Sequence, residues 1–205
     1  MPIEKKITLY RYDELPEHAK EKAREWYLST IYWPDELKFV IEHWRVIADQ
    51  LGFAVDDGPW WNLDHDTFYI GRGRLYRTLD SELDELEEEY AHNPDVLAIV
   101  REVREIHWNF YASIENGKIE SFNLPSDYNL EPNNDDEEEW ATYYEQLKKF
   151  TEESFERAKN ALHDLQKLGL KWLQKEAEYI ESEEAIKEVM KTNDWLFFED
   201  GSFAE

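Results

Sequence analysis

Between Asn134 and about Ile180 the apolar residues return every three or four positions: Trp140, Tyr143, Tyr144, Leu147, Phe150, Phe155, Ala158, Ala161, Leu162, Leu165, Leu168, Trp172 and Leu173. That period belongs to one face of a helix. At ~1.5 Å per residue such a helix reaches ~65–70 Å, about twice the width of a small domain. The rest of the chain must pack along this rod, or the rod must break, and Gly169 is the expected breaking point. The length of 205 residues suits one domain spanning 1–205, with the long helix at about 135–180.

Two compositional extremes frame the function. Aromatic residues make up 15% of the chain, with nine Trp and twelve Tyr. Such a content furnishes a wide core between helices and a sheet, or an aromatic contact surface. Forty-eight acids against twenty-three bases give a formal charge of −25. Self-repulsion at that level opposes compaction, so it either serves solubility or addresses a basic partner. No basic stripe is present to neutralise phosphates, which argues against direct nucleic-acid binding. Cysteine is absent, excluding disulfides, thiolate metal sites and cysteine nucleophiles. No apolar run approaches membrane-spanning length and the opening MPIEKKITLYRYDEL has no apolar core, so a cytoplasmic protein is expected.

Lys6 to Tyr12 alternates as a strand, and Pro16 opens a helix whose apolar face is Ala19, Ala23, Trp26 and Tyr27. A second helix starts at Trp33-Pro34-Asp35-Glu36, carries Leu37, Val40, Ile41, Trp44, Ile47, Ala48 and Leu51, and ends at Gly52. His43, beside that stripe, reads as a packed edge histidine. Val55-Asp56-Asp57-Gly58-Pro59 has turn chemistry, and so does Gly71-Arg72-Gly73-Arg74, a flexible turn with two solvated arginines. Between them, Trp60–Leu63 and Thr67–Ile70 form two short strands around Asp64-His65-Asp66. Neighbours on a strand point to opposite faces, so that triplet reads as a polar turn and not a metal site.

Leu79 to Tyr90 concentrates Asp80, Glu82, Asp84, Glu85, Glu87, Glu88 and Glu89 without one base. Ser81 can cap this helix, while Leu83, Leu86 and Tyr90 give it a narrow apolar seam. Asn93-Pro94 interrupts it, and a further helix through His107 makes a hairpin or a kinked pair with it. Phe110–Ile114 and Ile119–Phe122 flank Asn116-Gly117 as a β-hairpin. A loop from Leu124 to Asn134 leads to the acids Asp135, Asp136, Glu137, Glu138 and Glu139 at the start of the long helix. Ser182 caps a last short helix, and Trp195–Phe198 is a final strand. The fold class that follows is α+β: an antiparallel sheet covered by amphipathic helices, with one long C-terminal helix.

The opening Ile7-Thr8-Leu9-Tyr10-Arg11-Tyr12-Asp13-Glu14-Leu15, with Ala19–Tyr27 after it, resembles that of a family of small phage-encoded proteins. The ending is similar to the same family's tail in Ser182–Ile186, Asn193–Phe197 and Glu199-Asp200-Gly201. The likeness covers about a quarter of the residues, and the family's Gly- and Ser-rich centre is only loosely matched by Asp57 to Gly71. Some members carry the label antitoxin of a toxin–antitoxin stability system. The resemblance implies a phage context and a protein-binding, non-enzymatic role, with no catalytic motif to carry over.

The six histidines (His18, His43, His65, His92, His107 and His163) are scattered, four of them in expected helices at no shared ligand spacing. No catalytic, cofactor or metal residue is therefore assigned, and no enzyme is expected. Carboxylates four apart on a helix stand ~5–6 Å from each other, close to the phosphate spacing along a nucleic-acid strand. Glu82, Glu85 and Glu89 form one such line, and Asp84 and Glu88 another. The expected partner-binding residues are Glu82, Asp84, Glu85, Glu88, Glu89, Asp135, Asp136, Glu137 and Glu138. The expected partner is a basic host protein: a nuclease, a CRISPR-type effector or a toxin. The reading is an anti-CRISPR or anti-restriction type of inhibitor, acting as monomer or homodimer by nucleic-acid mimicry. The alternatives are an antitoxin-like protein using an aromatic interface, or a non-inhibitory interaction protein.

Overall fold

The computed structural model describes residues 6–106, 111–123 and 137–204. The fold is α+β with antiparallel sheets and a long C-terminal helix. The chain divides into two compact units, residues 1–39 with 174–205 and residues 40–173.

In the first unit, strand β1 (Tyr10–Arg11) pairs antiparallel with β6 (Leu196–Phe197). Helices α1 (Glu17–Thr30) and α7 (Glu183–Thr192) supply the core, in which Tyr12, Leu15, Ala19, Ala23, Tyr27, Ile186, Met190 and Phe197 are buried together. The strand expected over Lys6–Tyr12 shrinks to two residues, because its only ladder partner is itself two residues long. Ser182 caps α7 as expected, its hydroxyl accepting from the Ala185 N–H at 3.2 Å.

The second unit contains a four-stranded sheet in the order β2-β3-β4-β5, every neighbouring pair antiparallel. β2 is Phe53–Asn62, β3 Thr67–Leu75, β4 Tyr111–Glu115 and β5 Lys118–Asn123. Two expected turns are overturned here. Val55–Pro59 lies inside β2, with the register shifting between Val55 and Asp57 as at a β-bulge. Gly71–Arg74 lies inside β3, paired on one side with β2 and on the other with β4. The glycine at 73 serves close approach and not a turn: a Cβ there would stand 2.2 Å from the Ala54 carbonyl oxygen. The expected turn at Asn116-Gly117 is present, both residues having positive φ.

The second expected helix starts with a separate turn, α2 (Trp33–Glu36), and resumes as α3 (Lys38–Gln50). α4 (Asp80–Glu89) and α5 (Pro94–Arg104) are separated where Asn93-Pro94 predicts, with the Asn93 side chain accepting from the N–H groups of Asp95 and Val96. α6 runs from Glu137 to Ile180, 44 residues, which is ~66 Å of helix. It does not break at Gly169. A Cβ there would come within 2.3 Å of the Phe68 ring, so the glycine lets the β3 side chain lie against the helix. Nearby, the Trp44 indole N–H donates to the Leu165 carbonyl at 2.8 Å, and the Gln166 amide donates to the Gly117 carbonyl at 3.1 Å. These contacts seat α6 between α3 and the sheet.

The buried stripe of α6 also departs from the aromatic spacing. Ala158, Ala161, Leu162, Leu165, Leu168 and Leu173 are buried as expected, but upstream the buried positions are Thr151 and Ser154, while Tyr143 and Phe150 are half exposed. Small side chains occupy the covered face there, and the Thr151 hydroxyl satisfies itself on the Leu147 carbonyl at 2.8 Å. The loop expected at Leu124–Asn134 lies outside the described residues. Among those described, no helix is long and apolar enough to cross a membrane.

Candidate functional site

Helix α4 carries the strongest charge run, and its sequence dictates how it sits. Leu83 and Leu86 are buried, as is Tyr90 just beyond the helix, so one narrow seam faces inward and the acids line the rest. Ser81 is not the cap; it lies within the helix. Glu82 closes the N-terminus instead, one carboxylate oxygen accepting from the Leu79 N–H and the Thr78 hydroxyl, both at 2.9 Å. These bonds, the Leu79 N–H first, hold the Glu82 carboxyl below its ordinary pKa. Asp84 and Glu87 grip Arg104 of α5 at 3.0 and 3.2 Å. The Asp84 hydrogen bond is the main cause of the raised Arg104 pKa. The two helices thus form a packed pair.

The expected partner-binding residues therefore separate into groups. Glu82 and Asp84 are engaged within the fold. Glu85, Glu88 and Glu89 are exposed, with no ion pair among the described residues. They are neighbours at i, i+3 and i+4 on one helical surface. Glu137 and Glu138 begin α6 far along the chain, with only their backbone described, and Asp135 and Asp136 lie outside the described residues.

Two of the triad, Glu88 and Glu89, sit in the last turn of α4, where the helix dipole is negative and no basic residue is present. Each like-charge pair three or four apart costs ~0.2–0.5 kcal/mol, and each acid at that end ~0.3–1 kcal/mol. A helix selected for stability alone would carry Lys or Arg in these positions. Just beyond it, the Tyr90 hydroxyl stands 2.8 Å from His43 Nε2, and the His43 ring lies 5.3 Å from that of Trp172. Burial, then the charge of Glu89 and its side-chain hydrogen bond with the Tyr90 hydroxyl, pushes the Tyr90 pKa up to about 12. His43 is an edge histidine as expected, and its tie to Tyr90 fixes the end of α4.

Sequence reasoning missed the tether of Arg104 and the capping role of Glu82. The Thr78-x-x-x-Glu82 spacing was a signal for the second; no local signal pointed to the first. Asp64–Asp66 behaves as the polar turn expected, with the Asn62 side chain accepting from the His65 N–H at 3.1 Å. No group of three metal-ligating side chains occurs among the described residues.

A second surface lies in the first unit. Trp26 stacks on Phe203 with centroids 4.1 Å apart and an angle of 11°, and Trp195 and Phe197 meet Trp26 edge-on. Lys22 spans the rim, donating to Asp200 at 2.8 Å and to Ser202 at 2.7 Å. No protein-family model, curated protein or solved structure matches the chain.

Proposed function

We propose that the protein is a non-enzymatic binding protein that engages a basic partner through the exposed acids of α4, in the manner of a nucleic-acid mimic. In the phage setting that the resemblance of the two chain ends implies, the partner is a host nucleic-acid-binding or defence protein. The observation that carries this reading is the placement of Glu85, Glu88 and Glu89. They make no ion pair among the described residues, they repel one another, and Glu88 and Glu89 stand at the negative end of a helix dipole. A basic groove relieves all three penalties at once.

The test is capture of the partner from host lysate by the protein and by a Glu85→Lys, Glu88→Lys, Glu89→Lys variant, with elution by salt. Glu82 and Asp84 are left in place because they hold the fold. The reading requires a nucleic-acid-binding protein that elutes at moderate salt and is lost in the variant. The variant itself should be no less stable than the parent, since it removes repulsion. A partner retained by the variant and through high salt would instead support the second reading, an antitoxin-like interface built on the Trp26, Phe198 and Phe203 surface. That reading is favoured by Phe198, an aromatic 38% exposed beside the stacked pair.

A further inference from the structure

In the first unit, a cavity of about 350 Å³ opens between α1, α2, α7 and the last turn of α6. Ala185 and Val189 belong to its apolar lining, and three carboxylates, Glu36, Glu176 and Glu188, border it, with no basic side chain in the lining. None of the three makes an ion pair among the described residues. Acids alone do not make a site. Here a second observation points to a ligand: the Tyr27 side chain lines the cavity while only 7% exposed, and its hydroxyl has no hydrogen-bond partner among the described residues. The oxygen of an unpaired hydroxyl has lone pairs that a bound N–H donor can meet. Burial, followed by the charge of Glu36, raises the Tyr27 pKa, so the hydroxyl stays neutral and keeps a lone pair to offer.

We propose that this cavity receives the guanidinium of an arginine side chain carried by the basic partner. The carboxylates are not grouped closely enough to hold a metal ion. A planar cation with five N–H donors can reach separated acceptors that a bare ion cannot. Tyr179, about half exposed at the rim, offers an aromatic face for the same cation. The volume is that of a small-ligand pocket, adequate for one side chain and not for a folded element. The inference rests on the reading of the protein as a binder of a basic partner, and it adds an anchor point distinct from α4.

The experiment is an NMR titration of the full chain with three probes: a short glycine peptide bearing two arginines, its lysine counterpart, and free arginine. The expected result is a shift of the Tyr27 ring and of Glu176, Glu188 and Thr192 with the arginine peptide, and weaker binding of the other two probes. Tyr27→Phe should weaken the arginine peptide about fivefold, and Glu176→Gln with Glu188→Gln about tenfold. Equal affinity for the lysine peptide would overturn the guanidinium assignment. Free arginine binding as tightly as the peptide would make this a small-molecule pocket and overturn the docking role. Shifts confined to Glu85, Glu88 and Glu89 would overturn the site itself while leaving the α4 reading intact. Failure to capture any basic partner sinks the proposed function, whereas a peptide that does not move Tyr27 sinks this inference alone.

Discussion

Gly169→Ala sets two effects of known size against each other. Alanine is the better helix former by about 0.5–1 kcal/mol, so at an open position the change would stabilise α6. At position 169 the new methyl would stand 2.3 Å from Phe68 Cε1, where an ordinary carbon contact is ~3.5–4.0 Å. More than an ångström must be found, and Phe68 cannot supply it freely. Its ring is 7% exposed and meets the Trp44 ring edge-on at 4.7 Å and 79°. Trp44 is fully buried and tied to the Leu165 carbonyl of the same helix. Overpacking of this kind costs about 1–3 kcal/mol, so the net expectation is a loss of about 1–2 kcal/mol. For a chain of this size that lowers Tm by roughly 2–8 °C. Urea unfolding followed by tryptophan fluorescence, with calorimetry alongside, measures it. Phe68→Leu in the same molecule should make the two losses less than additive, because the shorter side chain vacates the space the methyl needs. A variant as stable as the parent, or more stable, refutes the close packing of Phe68 on Gly169.

Three further outcomes follow from the described geometry. Glu82→Ala should speed amide exchange in the first turn of α4, because the Leu79 N–H loses its acceptor while the Thr78 hydroxyl keeps the Gln50 carbonyl at 2.6 Å, whereas Glu85→Ala should leave exchange unchanged. Tyr27→Phe should change stability in thermal unfolding by less than about 0.5 kcal/mol, since the hydroxyl has no protein partner among the described residues and faces an open cavity; a loss of more than about 1 kcal/mol would mean that the hydroxyl is paired. The Lys22 ammonium, then the Ser202 N–H and hydroxyl, hold the Asp200 carboxyl well below the usual carboxylate range. Its folded pKa is therefore lower than its unfolded one, so its contribution is complete above about pH 4 and fades as pH falls further. Asp200→Asn should flatten that acid limb in pH-dependent denaturation; an unchanged limb would refute the pairing.

Most helices were legible because each buries one face against the core and repeats its apolar residues every three or four positions. Leu83, Leu86 and Tyr90 are buried as that spacing required. The Asn116-Gly117 hairpin and the Ser182 cap were legible too, since both depend on residues a few positions apart. The errors fall where a local preference is overruled by a distant neighbour. Gly71-Arg72-Gly73-Arg74 looks like a turn until Ala54 is brought against Gly73 and β4 is laid alongside. Gly169 looks like a helix break until Phe68 arrives. The α4 acids were visible as a run, but which of them are spent inside the fold depends on Arg104, twenty residues from Asp84. The cavity at Tyr27 was invisible for the same reason: Glu36, Glu176 and Glu188 meet only through the fold.

One misread stretch has a further meaning. β2 ends the four-stranded sheet, and one side of its backbone has no ladder partner within that sheet. Such a strand is a template for association with another copy, and ten residues is a long one. The residues that look like a turn are what blunt it. Asp56 and Asp57 place two carboxylates on the strand, Pro59 offers no N–H, and the bulge between Val55 and Asp57 breaks the even spacing an incoming strand would need. Turn-forming chemistry at this edge disfavours the docking of a further strand on a sheet rich in aromatic residues.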